Sequence, residues 1–64
     1  EKAMARQMIF DAYEDYVVKG KKLTIARYDE LLRIFDAYTA LGGNGTAKQY
    51  MEAIKALKPY LVVD

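Results

Sequence analysis

Two glycine-bearing breaks, at Gly20 and at Gly42-Gly43-Asn44-Gly45, cut this sequence into three stretches of helix length, and Pro59 closes the last of them. Before the first break, Ala5, Met8, Ile9, Ala12, Tyr13, Tyr16 and Val17 recur at intervals of three and four, the period of one helix face. The spacing predicts a helix over residues 2–19, with Gly20 as its C′ stop and Lys19 near the negative end of the dipole. Thr24 reads as the N-cap of a second helix over 25–41, since its hydroxyl accepts a first-turn amide. Gly42 ends that helix, and Gly43, Asn44 and Gly45 tolerate positive φ, so the backbone reverses there without steric cost. Thr46 and Gln49 have capping-box spacing, which predicts a third helix over 47–58, carrying Ala47, Tyr50, Met51, Ile54 and Leu57 inward. Pro59 removes an amide donor and ends it, leaving an apolar tail at 59–64. The fold class is therefore all-α, a compact three-helix domain spanning 1–64.

A chain of 64 residues holds one core and buries only about 60% of the surface its unfolded form exposes. With no Cys and no His, neither a disulfide nor a structural zinc reinforces it, so self-association is the remaining common remedy. Helix two is apolar over so wide a face that it is either central in its domain or shared with another subunit. Its face of Tyr28, Leu31, Leu32, Phe35, Tyr38 and Thr39 is widened by Ile34, Ala37 and Leu41, more than one neighbour covers. We expect a homodimer built on helix two, helix three and the tail, through Ile34, Tyr38, Leu41, Leu57, Tyr60, Leu61 and Val62. The pentapeptide Ile9-Phe10-Asp11-Ala12-Tyr13 recurs as Ile34-Phe35-Asp36-Ala37-Tyr38, the expected consequence of two amphipathic helices of similar composition.

The residue inventory excludes most chemistry. Without Cys, His or Ser there is no activated nucleophile–base pair, and imidazole or thiolate metal sites are gone. An enzyme is not expected, nor a cofactor or metal. Asp11, Glu14 and Asp15 share a face but read as a solvated surface, and the same holds for Asp29, Glu30 and Asp36. The glycine turn with Thr46 resembles an anion nest at a helix N-terminus, which makes Gly43, Asn44, Gly45 and Thr46 a candidate anion site. It lacks the spacing of a nucleotide-binding phosphate loop. A net charge of +1 announces no polyanionic partner, yet Lys19, Lys21, Lys22 and Arg27 gather within nine positions, with Tyr16 and Tyr28 alongside. They are the best candidates for nucleic-acid contact.

The stretches Ile9-Phe10-Asp11-Ala12-Tyr13-Glu14-Asp15-Tyr16 and Ala37-Tyr38-Thr39-Ala40-Leu41-Gly42-Gly43-Asn44-Gly45-Thr46 resemble a family of small bacteriophage proteins from Gram-positive hosts. Members often carry an N-terminal transmembrane segment, sometimes with a holin-like label, followed by a helical region with such a glycine turn. The likeness covers about Arg6 to Leu57 and implies phage origin. More distantly, the chain is similar to the soluble C-terminal domain of the membrane-anchored replication organiser of protein-primed Bacillus phages, a three-helix unit that dimerises and binds DNA. It departs from that domain in being nearly neutral and in lacking Trp. These resemblances imply a non-enzymatic, self-associating module of the host bacterial cytoplasm that contacts DNA during membrane-associated phage replication, with membrane attachment only through a segment upstream of Glu1. The competing expectation is a module that binds or inhibits a host or phage protein through the same apolar surface, without nucleic acid.

Overall fold

The computed structural model describes residues 2–43 and 45–64. It contains three helices: α1 (Lys2–Ala12), α2 (Ile25–Ala40) and α3 (Thr46–Lys55), with a short 3₁₀ turn at Lys58–Tyr60. The first helical stretch does not stay α throughout. From Tyr13 to Val18 it widens into a π-helix, whose amide at Lys19 reaches back five residues to the Glu14 carbonyl. Nothing in the local sequence announces this, because a π turn is held by what packs against it. Tyr50 of α3 packs there, its ring stacked on Tyr13 at 4.2 Å between centroids and in an edge-to-face arrangement with Phe10 at 5.0 Å.

α1 and its π-helical continuation lie between the other two helices, while α2 and α3 make little backbone approach to each other. The central element is therefore the first helix and not the broad-faced second one. The core takes Ala5, Ile9 and Ala12 from α1, Tyr28, Leu31, Phe35 and Tyr38 from α2, and Ala47, Met51 and Ile54 from α3, with Leu23 from the first connection. Ile9, Leu31, Met51 and Ile54 are the largest of its fully enclosed side chains. Leu32 of the α2 face and Ile34, which widens it, are half-buried against this core, whereas Ala37, Thr39 and Leu41 lie outside. The chain exposes 4256 Å², close to the roughly 4,200 Å² a folded monomer of this mass exposes.

The helix ends follow the predicted capping chemistry at Thr24 and Gly42 but not at Thr46. Thr24 Oγ1 accepts the Arg27 amide at 3.1 Å, as its position predicts. At the end of α2, Gly42 takes φ +87°, its amide donates to the Thr39 carbonyl and the Gly43 amide to the Tyr38 carbonyl, which together form a Schellman closure. The expected Thr46–Gln49 capping box is a correction. Gly45, at φ +80°, occupies the N-cap position and its carbonyl accepts from Lys48 and Gln49, so Thr46 already lies inside α3. A residue inside the helix cannot cap it.

Past the 3₁₀ turn, the chain does not trail into solvent. Val62 runs parallel to Thr24, donating to the Leu23 carbonyl and accepting from the Ile25 amide, both at 3.0 Å. The Asp64 carboxylate accepts the Ala26 amide at 3.3 Å, adding a second cap to α2. Leu61 and Val62 become half-buried, while Tyr60 and Val63 stay exposed. No helix among the described residues is long and apolar enough to cross a membrane.

Candidate nucleic-acid interface

Residues expected to serve two separate purposes meet at one end of the bundle. The π-helical end of the first helix, the 20–23 connection and the turn after α3 enclose a groove of about 350 Å³ lined by Tyr16, Val17, Gly20, Lys21, Lys22, Leu23, Leu57 and Tyr60. Lys21 and Lys22 belong to the basic cluster, Leu57 and Tyr60 to the predicted self-association set. The tail brings them together, because its backbone pairing with residues 23–25 holds the final turn against the first connection. Gly20, at φ +73°, has no atom near the position a side chain would take, so the groove is open on that side.

The four predicted phosphate contacts are not equivalent. Lys21 Nζ lies 3.5 Å from Asp15, and Arg27 Nη1 lies 2.6 Å from Glu30. The hydrogen bond to Glu30 raises the Arg27 pKa further above its already high value; burial opposes this and the Tyr16 hydroxyl adds to it. Arg27 therefore stays charged, tied both to α2 and to a groove residue. Lys19 and Lys22 are exposed and have no ion-pair partner among the described residues, and neither does Lys58. Lys58 was missed because it is remote in sequence from the basic cluster; it follows the groove residue Leu57 on the final turn. Exposed ion pairs contribute at most about 1 kcal/mol, so a phosphate can compete for Lys21 at small cost.

Tyrosines flanking the cluster separate in the same way. Tyr28 is buried and serves the core, which removes it as a stacking surface, whereas Tyr16 lines the groove half-buried and Tyr60 is 76% exposed. Leu23, Val17 and Leu57 supply an apolar floor.

The predicted self-association residues do not form one face. Tyr38 is 3% exposed and belongs to the core, a correction that follows from its place under the Gly43 backbone. Ile34 is half-buried, and Leu41 is exposed beside the glycine turn, far along α2 from the tail. Only Leu57, Tyr60, Leu61 and Val62 come together.

At the opposite end, the candidate anion site dissolves in part. The Gly42 and Gly43 amides are consumed by carbonyls of α2, so they cannot cradle an anion. Asn44 lies outside the described residues. Gly45 and Thr46 remain at the start of α3, where Thr46 borders a shallow cleft with Arg6, Gln7, Phe10, Tyr38 and Ala47. Among the acidic residues, Asp11 accepts from Gln7 at 3.0 Å and Asp15 faces Lys21, which engages two of the three clustered carboxylates with neighbouring side chains.

No family model, curated protein or solved structure matches this chain.

Proposed function

We propose that this chain is a non-enzymatic helical module that contacts the phosphates of nucleic acid with its lysine-bearing end. One observation carries this reading: Lys21 and Lys22 line one groove with Leu57 and Tyr60, and Lys19 and Lys58, next in the chain to groove residues, share with Lys22 the lack of an acidic partner among the described residues. Phosphate attraction needs several neighbouring cations on one surface, and nothing in the contact depends on base sequence. The stretch from Ala37 to Thr46 supports a phage origin, and DNA replication at the host membrane is the setting that the family resemblance suggests.

Salt dependence tests the proposal quantitatively. Three phosphate contacts give a slope of about −2.7 in log K against log salt, so affinity for a fluorescently labelled 20-base-pair duplex falls roughly fortyfold between 50 and 200 mM. The double variant Lys19→Glu/Lys22→Glu should abolish binding while its circular dichroism spectrum is unchanged. Affinity that is indifferent to salt, or to this charge reversal, refutes the proposal.

A second reading has its own support in the exposure of Tyr60 and Val63, at 76% and 84%. On that view the tail is a protein-binding or self-association surface, and the lysines serve solubility. Sedimentation equilibrium separates the two. A concentration-dependent dimer lost in Tyr60→Ser/Val63→Ser, together with full activity after reversal of Lys21 and Lys22, supports the second; a monomer at millimolar concentration removes self-association.

A further inference from the structure

We infer that the groove between the first connection and the final turn takes one unpaired nucleobase, so that the module prefers single strands to duplex. This rests on the nucleic-acid reading above and adds a ligand class to it. Lysines alone are satisfied by any polyanion, and a duplex presents them with phosphates while its bases stay stacked inside. The groove holds more than lysines. Val17, Leu23 and Leu57 form an apolar floor, Tyr16 lines the wall, and the Tyr60 ring stands three-quarters exposed beside them. An exposed aromatic ring next to cations is the arrangement on which single-stranded bases stack, because every base has a π face and its phosphates lie one bond series away. The volume of about 350 Å³ is enough for one nucleobase with its sugar. Lys21 and Lys22 line the same groove as Tyr60, and Lys58 is two residues from Tyr60 on the same 3₁₀ turn. The apolar floor would go unused by a duplex backbone, whereas a single strand offers phosphate and base together.

The test compares three probes on the intact 64-residue chain by fluorescence anisotropy: labelled oligothymidine of 12 nucleotides, the same oligomer paired with its complement, and an abasic oligomer of equal charge. The thymidine strand should bind about tenfold more tightly than the abasic one, the span expected for one stacked base. Tyr60→Ala should lower its affinity to the abasic level and leave abasic binding unchanged; since Tyr60 is exposed, that variant keeps its helical spectrum. Lys22→Glu should weaken all three. Equal affinity for thymidine and abasic strands, or a Tyr60→Ala variant that binds thymidine like the parent, overturns the inference while leaving phosphate contact standing. Binding to none of the probes refutes the phosphate reading itself. Tighter, Tyr60-dependent binding to phosphatidylglycerol vesicles than to thymidine also overturns it, in favour of a lipid surface.

Discussion

Replacing Gly43 by alanine should destabilise the whole domain, although this glycine is not in the left-handed region. Its neighbours Gly42 and Gly45 need positive φ; Gly43 needs space, because a methyl group built on its backbone would fall on the far end of the Tyr38 ring. That ring is 3% exposed and packs beside Phe35 at 6.2 Å, so it cannot swing aside without surrendering its own burial. Overpacking of a buried site costs about 1–3 kcal/mol, while loss of a glycine from the unfolded ensemble returns up to about 1 kcal/mol. The net loss is then about 1–2 kcal/mol. For a domain of this size it lowers the Tm by roughly 5–15 °C. Urea unfolding followed by far-ultraviolet circular dichroism measures it, and a double-mutant cycle identifies its cause. In a Tyr38→Leu background the offending ring atoms are gone, so Gly43→Ala should become neutral or slightly stabilising, a coupling of about 1–3 kcal/mol. Equal cost in both backgrounds would refute the steric account. The same experiment guards against misreading the glycine turn: loss of any ligand in Gly43→Ala reports unfolding before it reports a binding site.

Three further outcomes follow from the capping, stacking and tail contacts. Thr24→Ala removes the acceptor of the Arg27 amide and should cost about 1 kcal/mol in urea unfolding, with the α2 amides from 25 to 27 the first to exchange faster. Tyr50→Ala removes the stack on Tyr13 and the edge contact with Phe10; the half-buried ring should cost about 2–3 kcal/mol, and the near-ultraviolet tyrosine signal should collapse along with it. Truncation after Tyr60 deletes both Val62 backbone bonds and the Asp64 cap, so the Ile25 and Ala26 amides should lose hydrogen-exchange protection while Met51 and Ile54 in the core keep theirs.

Much of the architecture was legible because it depends on chemistry local to the chain. The Thr24 cap, the stop at Gly20 and the Gly42 reversal each involve residues within a few positions of one another, and the element order followed from them, although α3 ends at Lys55, short of the limit at residue 58 expected from Pro59. The candidate site was legible only as two lists. Lys21 and Lys22 belonged to one and Leu57 and Tyr60 to the other, separated by more than thirty positions, and no periodicity in sequence relates them. A pair of backbone hydrogen bonds from Val62 does. The anion nest failed for the opposite reason: its glycines were correctly placed in a turn, but the amides they offered were already committed to the last carbonyls of α2.

The repeated pentapeptide marks where sequence stops deciding. In α1, Ile9 and Ala12 are buried while Phe10 and Tyr13 are only half-covered; in α2, the same five residues bury Phe35 and Tyr38 and leave Ile34 half-covered and Ala37 exposed. The sequence by itself determined that both copies are helical and amphipathic, since the spacing of apolar residues and the glycine stops act within one or two turns. Tertiary structure alone decided which side of each copy faces inward. α1 is clasped between two helices and α2 borders one, so burial of the largest total apolar area rotates the two copies differently. The π turn at Tyr13–Val18, the pairing of Val62 with the first connection and the meeting of lysines with Tyr60 have the same origin: each is held by groups remote in the chain, whose effect no local pattern records.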